Sequence, residues 1–152
     1  MYSTTDQLSL FVTLETNNSI AEAPETLKKP NCGIVALAAT TGHSVEDITT
    51  WFRKTYRRTN RWQGRTHFGQ LLHFVRKHKG VEAKRVAPGG SLKTWVENET
   101  ALSTQRGYIA RVGGHFVAVI GGKVIDQYET KPAADHWASS KRVTDAIEVK
   151  LR

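Results

Sequence analysis

Thiols are nearly absent from this chain: Cys32 is the one cysteine among 152 residues. A single thiol cannot close an internal disulfide, and it cannot build a thiolate-rich zinc site without several histidine partners. Cys32 is then either a small buried hydrophobe or a reactive group. Long apolar runs are missing as well. No segment approaches the ~20 residues that a membrane-spanning helix requires, and the opening MYSTTDQLSLFVTLETNN lacks the basic leader and small-residue cleavage site of a secretory signal. A cytoplasmic protein that avoids membranes is expected. Repeats, low-complexity tracts and long linkers are also wanting. With 39% apolar residues, the chain suits one domain over 1–152 that hides roughly 70% of its unfolded surface in a single core. Acidic residues are the scarcer charge, 14 against 22 lysines and arginines, for a formal +8. That imbalance favours anionic partners. The run FRKTYRRTNRWQGR concentrates Arg53, Lys54, Arg57, Arg58, Arg61 and Arg65 beside aromatics, as a footprint for nucleic acid or an acidic protein would. It matches no base-reading motif, and solvated surface explains such a run equally well.

What is present changes period along the chain. QLSLFVTLE has strand composition, and the stretch around Pro24 up to Pro30 reads as loop, so residues 1–30 are expected to form an N-terminal strand and loop. Residues 31–100 read as mostly helical. Asn31 is a good cap, Ile34, Leu37 and Ala38 recur at helical spacing, and Gly42 closes the turn. Ser44 and Asp47 form a capping-box-like pair ahead of Val45, Ile48, Trp51 and Phe52. Thr66 precedes Phe68, Leu71, Leu72 and Val75, with Gly80 as the stop, and Ser91 starts a short helix burying Leu92, Trp95 and Val96. From 107 to 150 the chain is β-branched, aromatic and punctuated by glycine pairs, as consecutive antiparallel strands are. Helices first and a meandering sheet later make the class α+β, with N-terminal helices packed on a C-terminal antiparallel sheet.

The chemistry concentrates at a helix start. A helix amino end carries unpaired N–H groups and partial positive charge, and both favour a thiolate at Cys32, directly behind the cap Asn31. Gly33, having no side chain, would let a substrate backbone approach. A thiolate nucleophile needs a proton acceptor that later protonates the leaving group, which imidazole does best near neutrality. Of six histidines, His67, His73 and His78 are interspersed with lysine and arginine and are expected to face water. His43 is a turn residue, and His136 lies in the polar loop AADHWASS. His115 opens the strand HFVAVI behind Gly113 and Gly114, and Gly121 and Gly122 return the chain as KVIDQY. If that turn has two residues, Ile120 pairs with Lys123, Val117 with Asp126 and His115 with Tyr128. Asp126 is then the diagonal neighbour of His115 on one face, ~7–8 Å away at the backbone, close enough for a carboxylate to orient the ring. A strand-edge histidine and a turn-forming aspartate are the plain alternative for each residue taken alone.

Taken together, NCGIVALAATTG, GGHFVAVIGGKVID and VIDQYETKP resemble the papain superfamily of cysteine peptidases, in particular the small bacterial and phage branch similar to bacteriocin-processing peptidases. The resemblance implies a papain-like fold and a Cys32, His115, Asp126 triad acting on an amide or isopeptide bond of a peptide or protein through a thioester, with no cofactor and no metal. A phage-encoded member would work in the host cytoplasm or the virion. The Cys32 backbone N–H is implied as an oxyanion donor, with Asn31 as a neighbouring candidate. The family's oxyanion glutamine is missing, since no glutamine lies between Gln7 and Cys32. Thr26 stands where it would be expected, and Gln63 or Gln70 are substitutes from elsewhere. That departure keeps open a weak or inactive module of the same shape that grips an acidic protein or nucleic acid. Gly33, Gly114 and Trp62 are the groove candidates.

Overall fold

The structure is a computed structural model, and it describes residues 31–56, 66–79, 83–100 and 105–151. The strand and loop expected over 1–30, with Thr26 in them, lie outside that set, as do Arg57, Arg58, Arg61, Trp62, Gln63, Arg65 and Gly80.

Three helices open the described chain: α1 (Cys32–Thr41), α2 (Val45–Tyr56) and α3 (Phe68–Lys79). Helix α1 starts where Asn31 accepts a hydrogen bond from the Gly33 N–H at 2.9 Å. It stops at Gly42, whose φ of 82° is a left-handed conformation that glycine adopts without strain. Ser44 caps α2 through the Asp47 N–H. Helix α3 begins differently from expectation. Gln70 reaches back to the His67 N–H, while the buried Thr66 hydroxyl turns to Asn31 at 3.2 Å. Thr66 therefore ties the start of α3 to the start of α1.

The sheet has six strands in the order β1-β6-β2-β3-β4-β5, every pairing antiparallel. These are β1 (Lys84–Val86), β2 (Arg106–Val112), β3 (His115–Ile120), β4 (Lys123–Ile125), β5 (Thr130–Pro132) and β6 (Val143–Lys150). Strand β1 falls inside the stretch that reads as mostly helical. Its three residues carry no periodic signal and owe their conformation to pairing with β6. Between β1 and β2 come α4 (Leu92–Trp95), capped by Ser91, and a π-helical turn over Val96–Thr100. The π turn is unmarked in the sequence.

Both faces of the sheet are covered. Ile109, Phe116, Ala118, Ile147 and Val149 pack under α1, α2 and α3 with Ile34, Leu37, Ile48, Phe52, Leu71 and Phe74. Ala110, Val117, Val119, Val124 and Ala146 pack on the other face with Leu92, Trp95, Val96 and Ala138. Two-sided burial explains the near-continuous apolar run of β3, since a strand covered on one face only would alternate. Each fully buried large apolar side chain contributes about 1.5–3 kcal/mol relative to exposure. Trp51 and Trp95 belong to this packing. Trp51 sits edge-on to Phe52, Tyr56, His73 and Phe74, and Trp95 is buried against Tyr108.

No helix among the described residues is long and apolar enough to cross a membrane.

Candidate active site

Two glycine hairpins set the positions of the polar residues. Gly113 and Gly114 join β2 to β3 with φ of 56° and 77°, and Gly121 and Gly122 join β3 to β4 with φ of 59° and 82°. Successive positive φ values make the two-residue turn whose twist matches antiparallel strands. The second turn pairs Ile120 with Lys123, Val119 with Val124 and Ala118 with Ile125. Strand β4 then ends, one residue before Asp126. The backbone of Phe116 has no β4 residue beside it, and its N–H points instead to Cys32 Sγ at 3.4 Å. Helix α1 therefore delivers its first residue to the open start of β3, where His115 stands.

The structure brings Cys32, His115 and Asp126 together from positions 83 and 11 residues apart in the chain. His115 Nε2 lies 3.8 Å from Asp126 Oδ2, an ionic contact longer than a hydrogen bond. Its other nitrogen, Nδ1, is left for the sulfur. Asp126 is buried and amply supplied with donors. Oδ1 accepts from the Tyr128 and Glu129 N–H groups at 2.8 and 2.9 Å, and Oδ2 from Trp137 Nε1–H at 2.7 Å. Four rings converge here. Tyr128 lies parallel to His115, Trp137 meets it edge-on at 5.1 Å, and His136 tilts against Trp137.

The electrostatics follow from this geometry. Burial pushes the Cys32 thiol up, yet hydrogen bonding to His115, to the Phe116 and Gly33 N–H groups, and the imidazolium charge outweigh burial and bring it below its ordinary value. His115 is raised to about 9, first by the Asp126 carboxylate facing its Nε2, then by Cys32, against the opposing effect of its partial burial. Burial also pushes Asp126 up, but His115, the Glu129 N–H, Trp137 and the Tyr128 N–H hold its carboxyl well below the usual carboxylate range. A lowered thiol beside a raised imidazole favours the thiolate–imidazolium pair. Such a pair can attack an electrophilic carbon at the sulfur and hand over a proton at the ring.

The other sequence candidates are placed as follows. Asn31 is committed to the helix end, its side-chain oxygen taking both the Gly33 N–H and the Thr66 hydroxyl. A Cβ on Gly33 would meet Thr66 Oγ1 at 2.1 Å. The missing side chain thus makes room for Thr66 of the same chain. Gly114 is a turn residue with open space around it. Gln70 spends its oxygen on His67. Arg53 and Lys54 occupy the last turn of α2, where cations complement the negative helix end. His73 is exposed as expected and bonds Tyr56. His78 stacks on Phe74 at 4.0 Å instead of facing open water, and His43, in the turn between α1 and α2 as expected, meets both rings.

His136 is the largest correction. It reads as a residue of a polar loop, yet it is 2% exposed and its Nε2 lies 3.3 Å from Asp126 Oδ2. The short 3-10 turn over Ala133–Asp135 folds that loop back onto Asp126. An aromatic pair, His136-Trp137, in a segment of small and polar residues is the one signal that marks it. Among the described residues no group of three His, Cys, Asp or Glu side chains is arranged to hold a metal ion.

No protein-family model, no curated protein and no solved structure matches the chain. The structure defines an α+β protein in which a histidine at the start of β3 and an aspartate just past the end of β4 stand beside a cysteine at the first position of α1.

Proposed function

We propose that this chain is a papain-like cysteine peptidase, or a related amide or isopeptide hydrolase, with Cys32 as nucleophile, His115 as general acid and base, and Asp126 as the group that orients His115. One observation carries the reading: the chain's only thiol sits at a helix amino end against His115, whose far nitrogen faces a buried, fully hydrogen-bonded carboxylate. In the reaction, Cys32 Sγ adds to the amide carbonyl carbon, and the oxyanion is held at the open end of α1 by the Cys32 N–H. The C–N bond then breaks as His115 gives its proton to the departing amine, leaving a thioester. Water, deprotonated by His115, adds to the thioester carbonyl. The C–S bond breaks, the acid leaves and the thiolate–imidazolium pair is restored.

Alkylation by iodoacetamide across pH tests the reading. The apparent thiol pKa is expected below ~8.5 and should rise in His115→Ala. An ordinary value, unmoved by His115→Ala, would remove the nucleophile. With a peptide-amide library, Cys32→Ala should lower turnover by about a thousandfold or more.

A second reading, a weak or inactive module of this shape that binds an acidic protein or nucleic acid, is favoured by the absence of glutamine between Gln7 and Cys32. Loss of one oxyanion donor typically costs about 100- to 1000-fold in turnover. A reactive Cys32 that never turns over a substrate, combined with salt-sensitive binding of a polyanion, would select it.

A further inference from the structure

His136 has no part in the reaction as written, yet it is among the most buried polar residues described. Its Nδ1 faces the Ala138 N–H at 3.1 Å. That N–H can only donate, so Nδ1 is the unprotonated nitrogen and the ring proton sits on Nε2. Nε2 is buried and completes no hydrogen bond of its own. It is aimed between two carboxylates, 3.3 Å from Asp126 Oδ2 and 3.8 Å from Glu129 Oε2. Both of those oxygens already accept a better-placed donor, from Trp137 Nε1 at 2.7 Å and the Trp137 N–H at 3.2 Å. His115 reaches the same Oδ2 at 3.8 Å, and its Nε2 is likewise without a completed hydrogen bond. The arrangement is therefore imidazole, carboxylate, imidazole, with both rings facing one oxygen.

We propose that His136 is a positioning residue that shares Asp126 Oδ2 with His115 and so limits how tightly Asp126 holds the His115 proton. It rests on the reading of His115 as the group that protonates the leaving amine. A carboxylate that spends its charge on one cation grips that cation's proton hard, and a general acid gripped in this way is slow to donate. The His136 N–H aimed at the same oxygen, in addition to the Trp137 indole N–H already bonded there, withdraws charge and loosens the grip. Asp126 stays in place without His136, because the Tyr128 and Glu129 N–H groups and Trp137 hold its plane. The effect of His136 is thus on proton affinity rather than on geometry. The titratable groups that face it are Asp126, Glu129 and His115. Burial lowers its own proton affinity, against the pull of the two carboxylates, and this keeps it a neutral donor.

Histidine titration by nuclear magnetic resonance tests this on the full chain without any substrate. In His136→Phe, which keeps a ring but loses the donor, His115 should titrate about one unit higher than in wild type. In His136→Gln, whose amide can donate from nearly the place of Nε2, it should return toward the wild-type value. A His115 titration unchanged or lowered in His136→Phe overturns the proposal. If His136→Phe does not fold, the wild-type spectrum decides. A neutral ring protonated at Nε2 supports the proposal, and a proton on Nδ1 overturns it. The measurement does not need Cys32 to react, so its failure is separable from that of the peptidase reading, which the alkylation profile tests.

Discussion

Asp126 accepts hydrogen bonds from two backbone N–H groups and an indole, and it faces two imidazoles. Its ionisation should therefore be linked to folding. A carboxyl held below its ordinary range in the folded chain contributes stability that is fully present above about pH 4 and is lost as pH falls below that value. Asp126→Asn, being neutral throughout, should lack that acid-side dependence. Urea unfolding midpoints of the two proteins between pH 3 and 7 should converge toward acid, and parallel curves would contradict the linkage. The same substitution should bring the His115 titration down from about 9 toward its ordinary value. At this scale the sequence was informative where chemistry and local spacing coincide. A lone thiol behind a cap and a two-residue glycine turn were enough to align Cys32, His115 and Asp126. His136 was not legible, since strand β5 and a 3-10 turn lie between it and Asp126 and only folding brings its ring back.

Among the elements, the contact between the starts of α1 and α3 is the tightest near the site. Gly33 meets Thr66 and Leu71 with no room for a methyl group. Gly33→Ala should destabilise the chain by about 1–3 kcal/mol through overpacking, or roughly 2–4 °C in Tm per kcal/mol for a chain of this size. Adding Thr66→Ala, which deletes the clashing oxygen, should recover part of that loss, as a thermal double-mutant cycle would read. Strictly additive losses would show that the two residues are not in contact. Helix boundaries at Asn31, Gly42, Ser44 and Ser91 follow local capping chemistry and could be read from the sequence. Strand β1, strand β5 and the π turn after Trp95 could not, because three-residue strands and a widened turn depend on neighbours rather than on local propensity.

For the whole molecule, the sheet order places β2 between β6 and β3 and leaves β1 and β5 at the edges. Strand β5 is exposed along its length, whereas β2, β3 and β6 lie between two apolar layers. Amide hydrogen exchange should be slowest in Tyr108–Val112 of β2 and in the buried part of β6, and fastest in β5. Protection in β5 equal to that in β2 would contradict this expectation, since the exposed edge would then open only together with the whole sheet. The site sits at the start of β3, so both layers bear on it: α1 from one, the loop carrying His136 and Trp137 from the other.

Class and local order came from the sequence alone, because caps, glycine turns and hydrophobic period act over a few residues. The hairpin spacing that sets Asp126 near His115 is local too, and the unique thiol stands out in any reading. Tertiary structure decided which groups surround them. Only packing could turn Thr66 toward Asn31, bury His136 beside Asp126 and fill the space at Gly33. Those contacts join segments far apart in the chain, and their energies depend on burial, which no local pattern encodes.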